Sequence, residues 1–390
     1  MWPLLGLFHV KRSPVRDGKR GRDKIQGSRI AKALVGGLIS LSILLFLTGC
    51  GTIAGPQGWA GPAMSGNTLL VSLSHGKLTA IDLAESGKQL WQFPSGQGKN
   101  EPKLQAIYGT PVVSNGMVFL GGYDGGLYAL NLDDGSVKWA QMTKGHIVGG
   151  PAVAGDTVYV ASADHCLYAF ATDSGSASWD LPFCSGGKIW STPVVDGGVV
   201  YFGSMDKKLY AVDAATGQSR WDRPFEAEGA INATVVVAGG KVYVGALDKK
   251  LYALDAATGE EVWSFSSDDW IWSRVVVADG VVYVGNLAGH IYALDASSGE
   301  MRWESPFKAV SGIRAAPVLV DKTLVLADED GNVYGLDSAT GNEKWSQVTL
   351  SGVTADLLVE KSTVYISAKS GDVFAVDSSD GSITALVATQ

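Results

Sequence analysis

The side chains best suited to hold a ligand recur at one place in the chain, just before a short run that reads T-P-V-V in its clearest copy. Three positions before the Pro or Val of that run, the eight copies carry Trp59, Tyr108, Val148, Trp190, Asn232, Trp272, Arg314 and Thr354. One position before it, two copies carry Arg274 and Asp356 and three others carry threonine. Aromatic walls with a few amide and charged groups are typical of sites for small molecules or peptides.

Residues for catalysis or metal binding are sparse in the rest of the sequence. The five histidines have no partner at catalytic spacing, and no G-x-S-x-G, H-E-x-x-H or phosphate-loop motif occurs. An aspartate recurs just before a Leu-Tyr pair, at Asp124, Asp164, Asp206, Asp248 and Asp330. These carboxylates could form a ring for Ca²⁺, but a role as turn formers is favoured because Asp bonds its own backbone in turns. The sequence therefore predicts no catalytic residue and no metal ligand.

The candidate residues belong to a repeat, whose clearest copy is Asp248–Trp263, D-K-K-L-Y-A-L-D-A-A-T-G-E-E-V-W. Its markers are a turn glycine and a tryptophan four residues later, at Gly87/Trp91, Gly135/Trp139, Gly175/Trp179, Gly217/Trp221, Gly259/Trp263, Gly299/Trp303 and Gly341/Trp345. An eighth copy has Gly381, but Ala385 replaces the tryptophan. After a first step of 48 residues, the spacing is 40 or 42 residues. Such a period matches a propeller blade of roughly 40–50 residues.

Each copy contains four short strands with turns between them. In the fourth copy, Ser191–Asp206 supplies an inner strand (Thr192–Val195) and a second strand (Val199–Gly203), and the Leu-Tyr segment supplies the rest. Apolar residues on both faces of Leu251–Asp255 require cover on both faces, which neighbouring copies provide. We therefore predict an all-β fold, an eight-bladed β-propeller of four-stranded antiparallel blades over residues 58–390. Because the first and last blades are complete, closure of the ring needs no strand shared between the termini.

In a propeller, the candidate residues lie where the inner strands begin, around the mouth of the central channel. The set is Trp59, Tyr108, Trp190, Asn232, Trp272, Arg274, Arg314 and Asp356. One interpretation is a binding site for a ligand or peptide. The other is that these side chains plug the channel and pair among themselves, which is favoured because an eightfold repeat must fill its axis.

Residues 1–50 lie outside the repeat and are typical of an export signal. They hold nine basic side chains, then the uncharged segment Ala33–Leu47, which is short for a membrane span of about 20 residues. The segment ends in L-T-G-C, which resembles the bacterial lipobox. That resemblance makes Cys50 the lipid-bearing residue and leaves 51–57 as a short tether. An uncleaved N-terminal anchor is the alternative.

The charge of the chain limits its partners. The whole sequence has a formal net charge of −8, and without residues 1–50 the remainder carries 22 basic and 37 acidic groups, near −15. Because nucleic-acid binding depends on cationic contacts to phosphate, an acidic domain is a poor partner for it. We expect a soluble monomeric domain, exported and tethered to a membrane of the cell envelope.

Two of the three cysteines, Cys166 and Cys184, are predicted to form a disulfide. Cys166 is placed in the turn before the third strand of blade 3, and Cys184 in the loop between blades 3 and 4. Both connections emerge on the same face of the ring, and an exported protein meets an oxidising compartment. Two free thiols are the alternative.

The unit L-Y-A-L-D-A-A-T-G-E-E-V-W resembles the PQQ-type propeller repeat, and the match covers nearly all of residues 58–390. In that family the repeat tryptophan docks between neighbouring blades. The resemblance assigns this structural role to Trp91, Trp139, Trp179, Trp221, Trp263, Trp303 and Trp345.

The resemblance also suggests two functions. Family enzymes bind pyrroloquinoline quinone (PQQ) with Ca²⁺ and carry adjacent cysteines, which would make this chain a quinone-dependent dehydrogenase acting at the channel mouth. This sequence has no Cys-Cys pair and no large insertion. The chain is more similar to the lipid-anchored members that act as non-enzymatic scaffolds in outer-membrane protein assembly. We therefore expect a scaffold without cofactor that binds a protein or peptide at its loop face.

Overall fold

The computed structural model describes residues 58–73, 76–85, 87–96, 98 and 101–387. Within these ranges the fold is all-β, and none of the described segments forms a helix that could cross a membrane. Eight sheets are present, each built from four consecutive antiparallel strands. The prediction of an eight-bladed propeller is therefore confirmed. The predicted signal segment (1–50) with Cys50 and the tether (51–57) lie outside the described residues.

Every blade has an inner, a second, a third and an outer strand, in chain order. The inner strands of blades 1 to 8 are Ala63–Ser65, Val112–Ser114, Ala152–Ala154, Val194–Asp196, Val236–Ala238, Val276–Ala278, Val318–Val320 and Leu358–Glu360. The second strands are Thr68–Leu73, Met117–Gly121, Thr157–Ala161, Val199–Gly203, Lys241–Gly245, Val281–Gly285, Thr323–Ala327 and Thr363–Ser367. The third strands are Lys77–Asp82, Gly126–Asn131, Cys166–Ala171, Lys208–Asp213, Lys250–Asp255, His290–Asp295, Asn332–Asp337 and Val373–Asp377. The outer strands are Lys88–Phe93, Val137–Met142, Phe183–Cys184, Phe225–Glu226, Glu261–Ser266, Phe307–Lys308, Glu343–Val348 and Ile383–Val387.

The inner strands of successive blades contact one another, so they surround the axis of the ring. Blades 1 and 8 each keep four strands of their own, and no strand of the described residues is exchanged between them. Side chains close the ring instead, since Leu69 and Ile81 of blade 1 pack in one cluster with Val373 of blade 8. The predicted closure without a shared strand is confirmed.

The core consists of separate clusters between neighbouring blades, because each blade is apolar on both faces. Leu251 and Ala253 of the third strand of blade 5 pack with blade 6, in a cluster that contains Val282. Tyr252 and Leu254 of the same strand pack with blade 4, in a cluster that contains Leu209. The alternation of Leu251–Asp255 is thus satisfied on both sides by adjacent copies of the repeat.

The two repeat spacings arise from two kinds of outer strand. Blades 3, 4 and 6 have W-x-x-P-F after the turn, at Trp179–Phe183, Trp221–Phe225 and Trp303–Phe307, and are followed by the 42-residue steps. Blades 1 and 5 have W-x-F and keep six-residue outer strands, whereas the outer strands of blades 3, 4 and 6 are only two residues long. The residues between the Trp and the Phe of W-x-x-P-F are not paired with the third strand, because the proline has no N–H to donate to it.

Two placements derived from the sequence were wrong in detail. The inner strand of blade 4 begins at Val194 rather than Thr192, because its ladder starts at the pair of Val194 and Tyr201 and the preceding Pro193 has no N–H to donate. Cys166 and Cys184 lie in strands rather than in loops, as the first residue of the third strand and the last of the outer strand of blade 3. They face each other in the register and form the disulfide, with Cα atoms 4.1 Å apart.

Candidate binding site at the channel mouth

One face of the ring carries the starts of the inner strands, the turns between second and third strands, and the loops that lead from each outer strand to the next blade. We call it the mouth face. The opposite face carries the turns that follow the inner strand and the third strand, such as Asp255–Gly259. Antiparallel order alone fixes this division, because each strand reverses the direction of the one before it.

A cavity of about 250 Å³ opens on the mouth face, at the axis of the ring. Its lining includes all eight candidate residues, Trp59, Tyr108, Trp190, Asn232, Trp272, Arg274, Arg314 and Asp356. The repeat places them together because equivalent positions of eight similar blades meet at the axis. The channel mouth is therefore a lined cavity, in which part of the lining also pairs with itself.

The charged side chains of the lining are all paired. Arg314 Nε lies 2.8 Å from Glu329 Oε1, and the Arg314 guanidinium covers the Trp272 ring at 4.7 Å from its centroid. Arg274 Nε lies 3.7 Å from Asp356 Oδ2, while Asp356 Oδ1 accepts the Ala316 N–H at 2.9 Å. Each guanidinium thus faces a carboxylate, and the mouth presents no unbalanced charge.

Aromatic rings form a chain from the mouth towards the rim of the mouth face. Trp59 meets Tyr108 edge-on, with centroids 4.3 Å apart and an interplanar angle of 64°. Tyr108 meets Tyr123 at 5.3 Å and 71°, and Tyr123 stacks on His146 at 3.9 Å. Edge-on contacts of this kind are the favoured aromatic geometry. Burial is the main cause that raises the pKa of Tyr108, and the neighbouring Tyr123 raises it further.

Sequence reasoning missed Tyr123, His146 and Glu329. They come from turns and inter-blade loops rather than from the inner strands, so the alignment on the T-P-V-V run does not reach them. A second alignment on the turn before the Leu-Tyr pair would have shown Tyr123 and Glu329 as departures from the repeat.

Two polar atoms of the mouth have no hydrogen-bond partner among the described residues. Asn232 Oδ1 belongs to a side chain that is only 8% exposed, and Arg274 Nε is too far from Asp356 for a hydrogen bond. Buried polar groups are usually paired, so each exception requires an explanation. Asn232 is an acceptor without a donor, and Arg274 is a donor without an acceptor.

The recurrent aspartates stabilise the turns of the mouth face. The Tyr hydroxyl four residues later donates to Asp124, Asp164, Asp206 and Asp248 at 2.6, 2.9, 2.7 and 2.8 Å. Asp248 Oδ2 also accepts the Glu228 N–H of the adjoining loop at 2.9 Å. The favoured interpretation as turn formers agrees with these contacts. In the part of the chain that the structure describes, no cluster of His, Cys, Asp and Glu could hold a metal ion.

Two blades fill this role with a different aspartate. In blade 7 the Tyr334 hydroxyl donates to Asp328 at 3.2 Å, whereas Asp330 lies exposed in the predicted turn. In blade 6, Ala288 occupies the usual position, and Asp268 of the inter-blade loop accepts the Tyr292 hydroxyl at 2.8 Å. Asp268 Oδ2 also lies 2.9 Å from His290 Nδ1. These bonds fix the loop that carries Trp270 and Trp272.

The repeat tryptophans join each blade to the next. Their indole Nε1–H groups donate to a backbone carbonyl of the following blade, in the pairs Trp91–Leu132, Trp139–Thr172, Trp179–Ala214, Trp221–Ala256, Trp263–Ala296, Trp303–Ser338 and Trp345–Ser378. The distances lie between 2.7 Å for Trp91 and 3.2 Å for Trp263. In blade 8 Ala385 replaces the tryptophan, so the contact to blade 1 depends on the side-chain cluster described above.

The mouth does not fit pyrroloquinoline quinone with Ca²⁺. The quinone is a tricarboxylate, and both guanidinium groups of the lining already face a carboxylate. Oxygen ligands for Ca²⁺ must converge on one point, and the described residues contain no such cluster. We therefore derive no chemistry through this cofactor.

Comparisons with known proteins agree with this geometry. The sequence matches the family described as outer membrane protein assembly factor BamB over residues 57–181, 184–270 and 247–387. BamB of Shigella dysenteriae serotype 1 is 36% identical over 86 residues, which are 21% of this chain and 22% of that protein. The chain thus aligns with about a fifth of the length of the curated relatives that it matches.

Two solved structures share the fold. The crystal structure of BamB from Moraxella catarrhalis has a TM-score of 0.67 and 20% identity, covering 81% of this chain and 93% of that chain. The computationally designed protein Ika8 has a TM-score of 0.71 and 18% identity, covering 83% and 97%. Since the family match extends over most of the propeller, the chain belongs to the PQQ-type propeller family of the outer membrane protein assembly factor BamB.

Proposed function

We propose that the chain is a non-enzymatic scaffold of the cell envelope that binds protein or peptide partners at its mouth face during outer-membrane protein assembly. The observation that carries this proposal is the family match over residues 57–387. The mouth face supports it, because a cavity with aromatic walls lies there and its charged groups are balanced. Such a surface can bind a partner without performing a reaction.

Attachment to the membrane is part of the proposal. Residues 1–50 carry a basic segment and Ala33–Leu47, and L-T-G-C ends at Cys50. We propose that Cys50 bears a lipid and that residues 51–57 tether the monomeric propeller close to the bilayer. Because the remaining chain is acidic, phosphate-rich partners such as nucleic acid are disfavoured.

A dehydrogenase is the weaker candidate. The paired guanidinium groups and the lack of a metal cluster among the described residues give a quinone little to bind. The direct test is to add the quinone and Ca²⁺ to the purified chain, followed by gel filtration. A quinone absorbance that remains with the protein would overturn the non-enzymatic assignment.

The test of the scaffold is genetic. Deletion of the gene in its own organism should lower the amount of β-barrel proteins in the outer membrane, and the wild-type chain should restore it. Cys50→Ala should restore it incompletely, at equal protein level, since the unlipidated chain is no longer held at the membrane. Unchanged outer-membrane composition in the deletion strain would contradict the proposal.

A further inference from the structure

The channel mouth has the properties of a built site for a small neutral group. Its cavity encloses about 250 Å³, lined from several blades by Trp59, Tyr108, Trp190 and Trp272. That volume suits one side chain with its adjoining backbone rather than a folded domain. The ligand must therefore be a small molecule or a protruding part of a larger one.

The charges of the mouth decide against an ionic ligand. Arg314 is held between Glu329 and the Trp272 ring, and Arg274 faces Asp356. An incoming anion would approach a guanidinium that lies beside Asp356 or Glu329, and an incoming cation would approach a carboxylate that lies beside Arg274 or Arg314, so either one meets a group of its own sign. The repulsion from that group offsets part of the attraction to its partner. A neutral ligand leaves both pairs intact.

The unpartnered atoms specify the polar part of the ligand. Asn232 Oδ1 requires a hydrogen-bond donor, and Arg274 Nε requires an acceptor. The secondary amide of a peptide offers both, an N–H and a C=O, without carrying charge. Satisfying buried polar atoms in this way is the source of much of the selectivity of polar sites.

The aromatic walls specify the apolar part. Trp59 and Tyr108 meet at 64°, and Tyr108 and Tyr123 meet at 71°, so these rings form a corner rather than a flat platform. A corner encloses an aromatic side chain by edge-on contacts. Arg314 already covers one face of Trp272, so that face cannot stack on a sugar ring.

From these observations we propose that the channel mouth binds an uncharged peptide segment, with an aromatic side chain in the corner of Trp59 and Tyr108 and a backbone amide at Asn232 and Arg274. This proposal rests on the proposed function, because it names what part of a partner the scaffold holds. The binding assay below is independent of the deletion phenotype, so the two proposals can fail separately.

The experiment measures binding of four probes to the purified full-length chain by calorimetry. N-acetyl-phenylalaninamide is the neutral probe, N-acetyl-phenylalanine the anionic one, phenylalaninamide the cationic one, and methyl β-glucopyranoside the sugar. Saturable binding of the neutral probe, several times tighter than that of either charged analogue, is expected because each charged analogue meets a group of its own sign in the mouth. Equal or tighter binding of a charged probe, preference for the sugar, or no binding of the neutral probe would overturn the proposal.

Variants separate a binding role from a structural one. Asn232→Leu should weaken binding of the neutral probe about tenfold while leaving the melting temperature unchanged or higher, because it removes an unsatisfied buried atom. A lower melting temperature with unchanged binding would assign Asn232 to the fold and contradict the proposal. Trp190→Ala, in the lining, should also weaken binding, whereas Trp270→Ala, outside the lining, should not. This second pair keeps the test decisive if Asn232→Leu fails to fold.

Discussion

The indole ring of Trp263 in blade 5 lies directly on Gly299 in the turn of blade 6. A Cβ atom at Gly299 would lie 2.7 Å from Trp263 Cε3, and the indole N–H of Trp263 donates to Ala296 O in the same turn at 3.2 Å. The same relationship joins Trp91 to Gly135 and continues blade by blade to Trp345 and Gly381. The glycine of the repeat is therefore required by the tryptophan of the preceding blade as well as by its own positive φ.

Replacement of Gly299 by alanine tests this relationship, and Gly280→Ala provides a matched control. The two glycines have φ values of +76° and +74°, so alanine is strained equally at both, but nothing lies within 4 Å of a Cβ at Gly280. Overpacking against Trp263 should make Gly299→Ala less stable than Gly280→Ala by about 1–3 kcal/mol in urea unfolding. Equal losses would show that backbone strain alone explains the glycine.

Removal of the tryptophan tests the other side of the contact. Trp263 is 8% exposed, and Trp263→Ala leaves a cavity between blades 5 and 6. The free energy of unfolding should fall by about 3–5 kcal/mol. Trp263→Phe keeps most of the volume and loses the hydrogen bond to Ala296, so a loss of about 1 kcal/mol is expected. A smaller loss of unfolding free energy for Trp263→Ala than for Trp263→Phe would contradict the claim that the volume of the indole ring holds the two blades together.

Reduction of the disulfide should destabilise blade 3. The bond closes a segment of 18 residues and holds a two-residue outer strand to its neighbour. Cys166→Ser with Cys184→Ser should lower the free energy of unfolding by about 3 kcal/mol. The same register position of blade 4 holds the half-buried Lys208 and the exposed Glu226, 3.8 Å apart, whose joint replacement by alanine should cost less than about 1 kcal/mol. Similar losses of unfolding free energy at the two positions would show that the disulfide stabilises blade 3 no more than an ion pair does.

Alkaline pH should weaken the turns of the mouth face. Burial, assisted by the bond to Asp164 or Asp268, raises the pKa of Tyr168 and of Tyr292 to about 12. Because the unfolded value is about 10, their contribution to stability is complete below pH 10 and is lost as the pH rises towards 12. Unfolding free energy should therefore fall over this range.

The double variant Tyr168→Phe with Tyr292→Phe isolates this effect. Its unfolding free energy should depend less steeply on pH between about 10 and 12, since it lacks two of the groups that bind protons more tightly in the folded state. An unchanged slope, measured by urea unfolding across that range, would show that other groups control the alkaline transition.

The fold could be predicted because one motif recurs eight times, and each copy predicts the same strands and turns. Apolar residues on both faces of Leu251–Asp255 demand neighbours on both sides, and the Gly-Trp spacing identifies how many copies there are. Strand boundaries were less predictable, since the inner strand of blade 4 starts only at Val194, and the Thr192 side chain before it accepts the Gly150 N–H of another blade. No local pattern shows that contact.

The candidate site was predictable only where it follows the repeat. Equivalent positions meet at the axis, so the alignment was sufficient to place Asn232 and Arg274 at the mouth. The partners of Arg314 and Tyr108 were not predictable, because Glu329 and Tyr123 reach the mouth from turns that the alignment of the inner strands does not include. The chemistry of the cavity depends on those pairings and therefore required the structure.

Photo-crosslinking in the native envelope tests most directly whether the mouth face is where partners bind. A benzoyl-phenylalanine placed at Trp270, exposed on the mouth face, is compared with one at Ala257, exposed on the opposite face. The proposal requires protein crosslinks from position 270 that are at least severalfold more abundant than those from 257. Crosslinks that arise only from position 257, or that are absent at 270 while the variant restores the deletion strain, would contradict it.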